Sequence, residues 1–347
     1  MKLLRHLSAS EVSAAMPPLA ERLALAERTM RAVGRDADLP PKVGVHPRQL
    51  ESLAHAMPAL LRGEAADGST DLIGVKWIVG FPANPSIGLP TYHAMVMLND
   101  PGTGEPLAVM DAAAITAERT AAISGTAIRH FLPRDAGSGG RATRIAVLGA
   151  GVQARSHMPV IGHVLPGAHV RLTDVDGTRA SAVAREASTT EGIGSAQAVS
   201  SVREAVESAD VVVSVVSFGP DRQTLDPAWL GPKTLFVAVD YDMQAPAALA
   251  RGSLFVVDER NQFLAARTGS TFAGYPDPDA TLGELLRGAG PGRETAGTGR
   301  VGQSEPTSRR ESRVLVTHLG VGLADVVFAS AILARAEQLG LGRLLPG

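Results

Sequence analysis

Cysteine is absent from the 347 residues, which removes disulfides, thiolate metal ligands and cysteine nucleophiles from consideration. No apolar run approaches the length of a membrane-spanning helix, and Met1-Lys-Leu-Leu-Arg-His lacks the apolar core of a secretory leader. We therefore expect a cytoplasmic chain with no membrane partner. A dominant charge is lacking too: 33 basic and 35 acidic residues leave a net charge of −2, and no basic run occurs. That balance argues against a nucleic-acid partner. Histidines 93, 157, 163 and 318 show no metal-ligand spacing, so no metal site is expected.

The remaining composition, 45% apolar and 20% charged, is that of a globular protein long enough for two domains. One stretch organises the second of these: Arg144-Ile-Ala-Val-Leu-Gly149-Ala-Gly151-Val-Gln-Ala154. A short β-type run ends at Gly149, and Val152 to Val164 reads as a helix. Glycine at 149 permits a tight turn, glycine at 151 lets a pyrophosphate approach the backbone, and the small Ala154 allows close helix–strand packing. The helix N-terminus offers unpaired N–H groups to the phosphates. A second β-type run, His169 to Thr173, ends at Asp174, 25 residues after Gly149, near the place of an acid on the adenosine ribose hydroxyls. This order predicts a dinucleotide-binding unit. A carboxylate there repels a 2′-phosphate, so NAD is expected in preference to NADP, an effect that Arg171 and Arg179 can blunt.

Before that stretch, Ser8 or Ser10 can cap a short helical turn that Pro17-Pro18 interrupts, and Leu19 to Val33 has helical spacing. Pro40-Pro41 start an extended segment with Lys42, Val43 and Val45, and Arg62 to Thr70 is a polar loop. β-type runs follow at 71–81, 91–99 and 106–111, separated by the proline-rich 82–90 and the turn Asp100-Pro-Gly-Thr-Gly. Ile115 to Phe131 is helical. After the linker Gly137-Ser-Gly-Gly-Arg, helices near 179–187 and 202–208 and strands near 210–216, 234–239 and 254–258 fit a doubly wound sheet. Asp176-Gly177 reads as a turn. Residues 287–313 have almost no large apolar side chains and are expected to form a mobile loop. Val314 to Leu345 reads as apolar, alanine-rich helix.

Three places carry chemistry. Lys76 sits inside an apolar β-type run, either on an edge strand with its head in water or buried with a partner. Arg119 is the strong cation of a small-residue helix, either solvated beside Glu118 or free to clamp a carboxylate bidentately. Asp240 and Asp242 follow the strand 234–239, where they either cap a turn or exchange protons beyond the strand ends.

The chain resembles the ornithine cyclodeaminase/mu-crystallin family through Lys76-Trp-Ile-Val-Gly-Phe-Pro-Ala-Asn84, Gly88-Leu-Pro-Thr91, Leu98-Asn-Asp-Pro-Gly-Thr-Gly-Glu-Pro-Leu, Met110-Asp-Ala and Arg119-Thr-Ala-Ala. The match continues through Gly149-Ala-Gly-Val-Gln-Ala, Pro291-Gly-Arg and Gly320-Val-Gly-Leu-Ala-Asp325. The resemblance implies an α/β chain: a Rossmann-type doubly wound sheet at 137–313, with a mobile loop near 288–313, and an α+β substrate and dimerisation domain at 1–136. The C-terminal helix in 314–347 completes the latter. It also implies NAD, a small amino- or imino-acid substrate and a homodimer. Carried over by motif, Lys76 and Asp242 are catalytic, while Lys42, Lys76, Thr91, Arg119 and Asp240 bind substrate. Thr120, Gly149, Gly151, Val152, Gln153, Ala154, Asp174, Ser217 and Val239 bind the cofactor. Lys42 replaces an arginine common in the family, and Asp240 a glycine usual in cyclodeaminases. Both departures favour net redox chemistry at the α-carbon over cyclodeamination. The alternatives are an ornithine- or lysine-type cyclodeaminase and a non-catalytic nucleotide-binding protein.

Overall fold

The computed structural model describes residues 3–49, 52–63, 70–133, 135–269, 271–288 and 313–346. The chain divides into two compact units, residues 1–119 with 320–347, and residues 120–319. Among the described residues no helix is long and apolar enough to cross a membrane.

The first unit begins with β1 (Leu4–Leu7) and α1 (Ala9–Ala14). Ser8 caps α1 in a reciprocal box with Glu11, satisfying two of the orphan N–H groups. Pro17 and Pro18 separate it from α2 (Leu19–Ala32). There follow β2 (Ala37–Asp38), β3 (Val43–Val45), β4 (Leu53–Leu61), β5 (Leu72–Gly80), β6 (Tyr92–Asn99) and β7 (Pro106–Asp111). The helix α3 (Ala113–Phe131) begins here. Most of the predicted strands are present, but β4 is additional. Its central Pro58 pairs opposite Val75, and a proline inside a run normally argues against a strand. The polar loop expected at 62–70 falls largely on residues 64–69, outside the described residues.

The second unit holds β8 (Arg144–Leu148), α4 (Val152–Val164), β9 (Ala168–Thr173), α5 (Gly177–Ser188), β10 (Ile193–Ala198), α6 (Val202–Val206) and β11 (Val211–Ser214). It continues with β12 (Leu235–Ala238), α7 (Ala247–Arg251), β13 (Leu254–Val257), α8 (Arg260–Thr268), β14 (Ala280–Thr281), α9 (Leu282–Leu286) and β15 (Val314–Thr317). All of its strand pairs are parallel, in the order β10-β9-β8-β11-β12-β15-β13-β14. Strands β8, β11, β12 and β15 are almost wholly buried, as a sheet covered on both faces requires.

The chain then returns to the first unit as α10 (Gly322–Gln338) and β16 (Arg343–Leu345). Its sheet runs β16-β1-β7-β6-β5-β4-β2, with β3 also on β4. Helix α10 lies close against β4 and β5 because two glycines permit it. A Cβ at Gly322 would stand 2.4 Å from the Met57 carbonyl oxygen, and one at Gly74 3.2 Å from the Val326 side chain. The expected continuous helix from Val314 to Leu345 is therefore corrected. Val314–Thr317 is a strand of the parallel sheet, held between β12 and β13, and Arg343–Leu345 pairs with β1. The division between units falls within α3, after Arg119, rather than at the linker near Gly137, and after Leu319 rather than before Val314. The loop expected at 288–313 lies almost entirely outside the described residues.

Candidate functional site

In the first unit β5 is a central strand, between β4 and β6, so the edge-strand reading of Lys76 does not hold. Side chains alternate across a strand, and Lys76 falls on the face covered by α10. Its side chain is 1% exposed and its Nζ stands 2.7 Å from Oδ2 of Asp325, a fully buried acid in the first turn of α10. Arg119 is buried as well, with its Nε donating to the other oxygen of Asp325 at 3.2 Å. Glu118 is paired elsewhere, with Arg22. Thr116 Oγ1 lies 3.5 Å from Lys76 Nζ.

Two buried cations thus share one buried carboxylate, leaving an excess positive charge that a low-dielectric interior does not tolerate well. Burial is the main reason that Lys76 is pushed down from 10.5 to about 7; Asp325 opposes the shift, and Arg119 and Lys42 add to it. The backbone supports the arrangement. Gly320 has φ +80, and a Cβ there would stand 2.5 Å from Arg119 Nη1, so only glycine leaves the guanidinium its place. Lys42 is half-buried just before β3; the pairing of Val43 with Ala56 and of Met57 with Lys76 puts it on the same row as Lys76, two strands away. Thr91 is not beside these cations. The Phe81 N–H donates to the Thr91 carbonyl, while Lys76 pairs opposite Val96, five residues or roughly 16 Å along the strand.

In the second unit the glycine turn has the expected geometry. Gly149 has φ +101, and a Cβ there would stand 2.7 Å from the Val215 carbonyl oxygen. A Cβ on Gly151 would meet nothing within 4 Å, so its surroundings are open. Gly151 is the N-cap of the 13-residue α4 and supplies no side-chain cap. The first N–H groups of α4, at Val152 and Gln153, therefore suit a phosphate. Ala154 is buried against the sheet. Asp174 follows β9, but its carboxylate is partly engaged: it accepts from Ala150 N at 2.7 Å and Asp176 N at 2.9 Å, with Arg179 Nη1 3.7 Å away. Lone pairs remain for ribose hydroxyls. Asp176 does more than turn the chain, since it caps α5 through Thr178 and Arg179. These features fit a dinucleotide. Thr120 is buried on α3, Val239 half-buried after β12, and Ser217 exposed beyond β11. No group of residues suited to a metal occurs among the described residues.

The two aspartates have different environments. The chain turns at Tyr241, φ +62, so strand alternation does not continue through them. Asp242 is fixed by Arg222 Nη1 at 2.6 Å on Oδ1 and by the Phe272 N–H at 2.8 Å on Oδ2. Asp240 accepts from the Ser214 hydroxyl and from Val216 N at 3.2 Å, both on Oδ2. Burial raises Asp240 to about 7; the bonds from Ser214 and Val216 oppose the shift and Asp242 adds to it.

Asp325, Arg222 and Ser214 were assigned no role from the sequence. Only Asp325 carries a usable signal, an acid in the first turn of a helix whose next two turns are apolar or small. Histidines 157 and 318 are buried and bond through Ser124, at 2.8 and 2.9 Å.

The family model described as the ornithine cyclodeaminase/mu-crystallin family matches residues 7–299. The chain is 32% identical to the nodulation efficiency protein NfeD of Rhizobium meliloti, over 99% of this chain and 98% of that protein. It is also 32% identical to the ketimine reductase mu-crystallin of Mus musculus, over 65% and 69% of the two chains. Among solved structures it resembles an archaeal alanine dehydrogenase dimer with bound NAD, at a TM-score of 0.78 and 25% identity over 99% of both chains. A model that matches most of the chain, together with a relative this similar from end to end, shows that the chain belongs to the ornithine cyclodeaminase/mu-crystallin family.

Proposed function

We propose that the protein is an NAD-dependent oxidoreductase that exchanges hydride at the α-carbon of a small L-amino acid or cyclic imino acid. The observation that carries the reading is the buried Lys76–Asp325–Arg119 cluster, whose excess positive charge is suited to a substrate carboxylate. The similar alanine dehydrogenase and ketimine reductase proteins support it. NAD bound at the glycine turn supplies hydride acceptance or donation.

The protein's own residues do the rest. Lys76 and Arg119 bind and orient the carboxylate, with Lys42 adding positive potential from the same row, two strands away. Thr91 belongs with substrate contacts farther from the carboxylate. Asp242 has lone pairs left after its bonds to Arg222 and Phe272 and takes or returns the proton of the amine. Asp240, whose proton burial helps to retain, is its counterpart. A buried carboxyl that retains its proton suits the acid role beside a carboxylate that serves as base. Thr120, Ser217 and Val239 complete the cofactor contacts around the glycine turn.

We further propose a homodimer acting in the cytoplasm. Ile73 and Trp77 on β5 and Met95 and Met97 on β6 make an exposed apolar sheet face, with Trp77 paired opposite Met95. Loss of the dimer in Trp77→Lys, read by light scattering, is expected.

Incubation with NAD and a panel of L-amino acids, with NADH and ammonia followed together, tests the activity. NADH accumulation with at least one small amino acid is expected. Ammonia without NADH would make the protein a cyclodeaminase, and neither product with any substrate would make it a binding protein.

A further inference from the structure

Asp240 has a feature that proton exchange with substrate leaves unused. It is 2% exposed and makes no ion pair, and its Oδ1 has no hydrogen-bond partner among the described residues. Because the Val216 N–H and the Ser214 hydroxyl both approach Oδ2, the acid's proton belongs on Oδ1. It is then a buried donor with no acceptor among the described residues. Among the described residues the groups facing it offer no compensating cation: Asp242 is a second acid, and Arg222 is engaged by Asp242. The Tyr275 hydroxyl donates to the Ala245 carbonyl, and burial and both aspartates hold it in its neutral form. From β15 the His318 ring turns to Ser124.

The place of this carboxyl in the sheet is equally specific. From β8 the sheet continues to β9 and β10 on one side and to β11 and β12 on the other, so the switch point lies between β8 and β11. Gly149 ends β8 and abuts the Val215 carbonyl, and the next residue, Val216, holds Asp240. Asp174, after β9, marks the adenosine side. The nicotinamide half therefore belongs over the ends of β11 and β12, which Asp240 joins.

We propose that Asp240 couples the charge of the bound nicotinamide to a proton: the cationic oxidised ring holds Asp240 as a carboxylate, and the neutral reduced ring leaves it as the acid. Where Asp240 is the acid in the free protein, one proton leaves for each NAD+ bound and none for each NADH. The inference rests on the NAD reading of this unit but on no substrate.

The test is calorimetric titration of NAD+ and of NADH into the substrate-free protein across pH, in two buffers of different ionisation enthalpy. NAD+ affinity should rise by up to about tenfold per pH unit and level off near neutrality, with proton release, while NADH affinity stays flat. Asp240→Asn should flatten the NAD+ profile and leave NADH binding unchanged. Ser214→Ala withdraws a donor that favours the carboxylate, so its NAD+ profile should level off at higher pH. The proposal is overturned if both cofactors follow the same profile, or if the wild-type NAD+ profile survives in both variants. If neither cofactor binds at any pH, the NAD reading itself fails and takes this inference with it.

Discussion

Replacing Lys76 by methionine should make the protein more stable and less able to bind its substrate. The lysine is held at about 7 against an ordinary 10.5, a difference worth roughly 5 kcal/mol between its two protonation states. The sign follows from linkage. The unfolded chain binds the extra proton between about 7 and 10.5, so stability rises with pH across that window and the full cost is present below it. Methionine fills a similar volume and leaves Arg119 and Asp325 as a balanced pair. Replacing a whole buried ion pair or triad by apolar side chains is often neutral or gains about 1–4 kcal/mol, and removing only the surplus cation, which leaves no charge unpaired, should gain part of that. Thermal unfolding at pH 6 should therefore show a higher Tm for Lys76→Met, and the advantage should shrink toward pH 10. Carboxylate-substrate affinity, by calorimetry, should fall at least about tenfold. Asp325→Asn, by contrast, leaves two unpaired cations and should lose about 3–5 kcal/mol, part of it recovered by a carboxylate ligand. A lower Tm for Lys76→Met at both pH values, with substrate binding intact, would show that the cluster exists to hold the fold.

What was legible in the sequence divides along physical lines. The glycine turn and the strand ending at Asp174 could be read because backbone geometry permits only glycine at 149. Lys76 and Arg119 stood out because a charge in an apolar run is costly wherever it goes. Their shared partner, 206 residues beyond Arg119, could not be derived from spacing, since only the return of α10 to the first unit brings Asp325 to them. Strand β4 was hidden by Pro58, and β10, Ile193-Gly-Ser-Ala-Gln-Ala, which forms the edge of its sheet, has one large apolar side chain and no alternation. Strand β15 lies only four residues before α10, so its apolar run merged with the helix in sequence. The differing environments of Asp240 and Asp242 depend on the left-handed Tyr241, a conformation uncommon for tyrosine and hence not expected from local pattern.

Arg119→Ala removes a charge-assisted contact worth roughly 1.5–3 kcal/mol, so substrate affinity should drop at least about tenfold while NAD affinity, by fluorescence titration, stays at the wild-type value. Asp174→Ala should reduce a preference for NAD over NADP in kcat/KM; an unchanged preference would remove Asp174 from cofactor choice. Burial lowers His157 from 6.5 to about 4, so the unfolded state gains protons first on acidification. Urea melts should show His157→Gln gaining about 3 kcal/mol relative to wild type between pH 6.5 and 4. The two aspartates give the sharpest contrast. Asp242, fixed by Arg222 and the Phe272 N–H, is the proposed base, so Asp242→Asn should cut turnover by about a hundredfold or more while both ligands still bind. Asp240→Asn removes the acid without a cation and should act mainly on the pH profile of turnover. If Asp240→Asn abolishes turnover and Asp242→Asn is nearly silent, the carboxylate held by Ser214 and Val216 is the catalytic one and the two roles are exchanged.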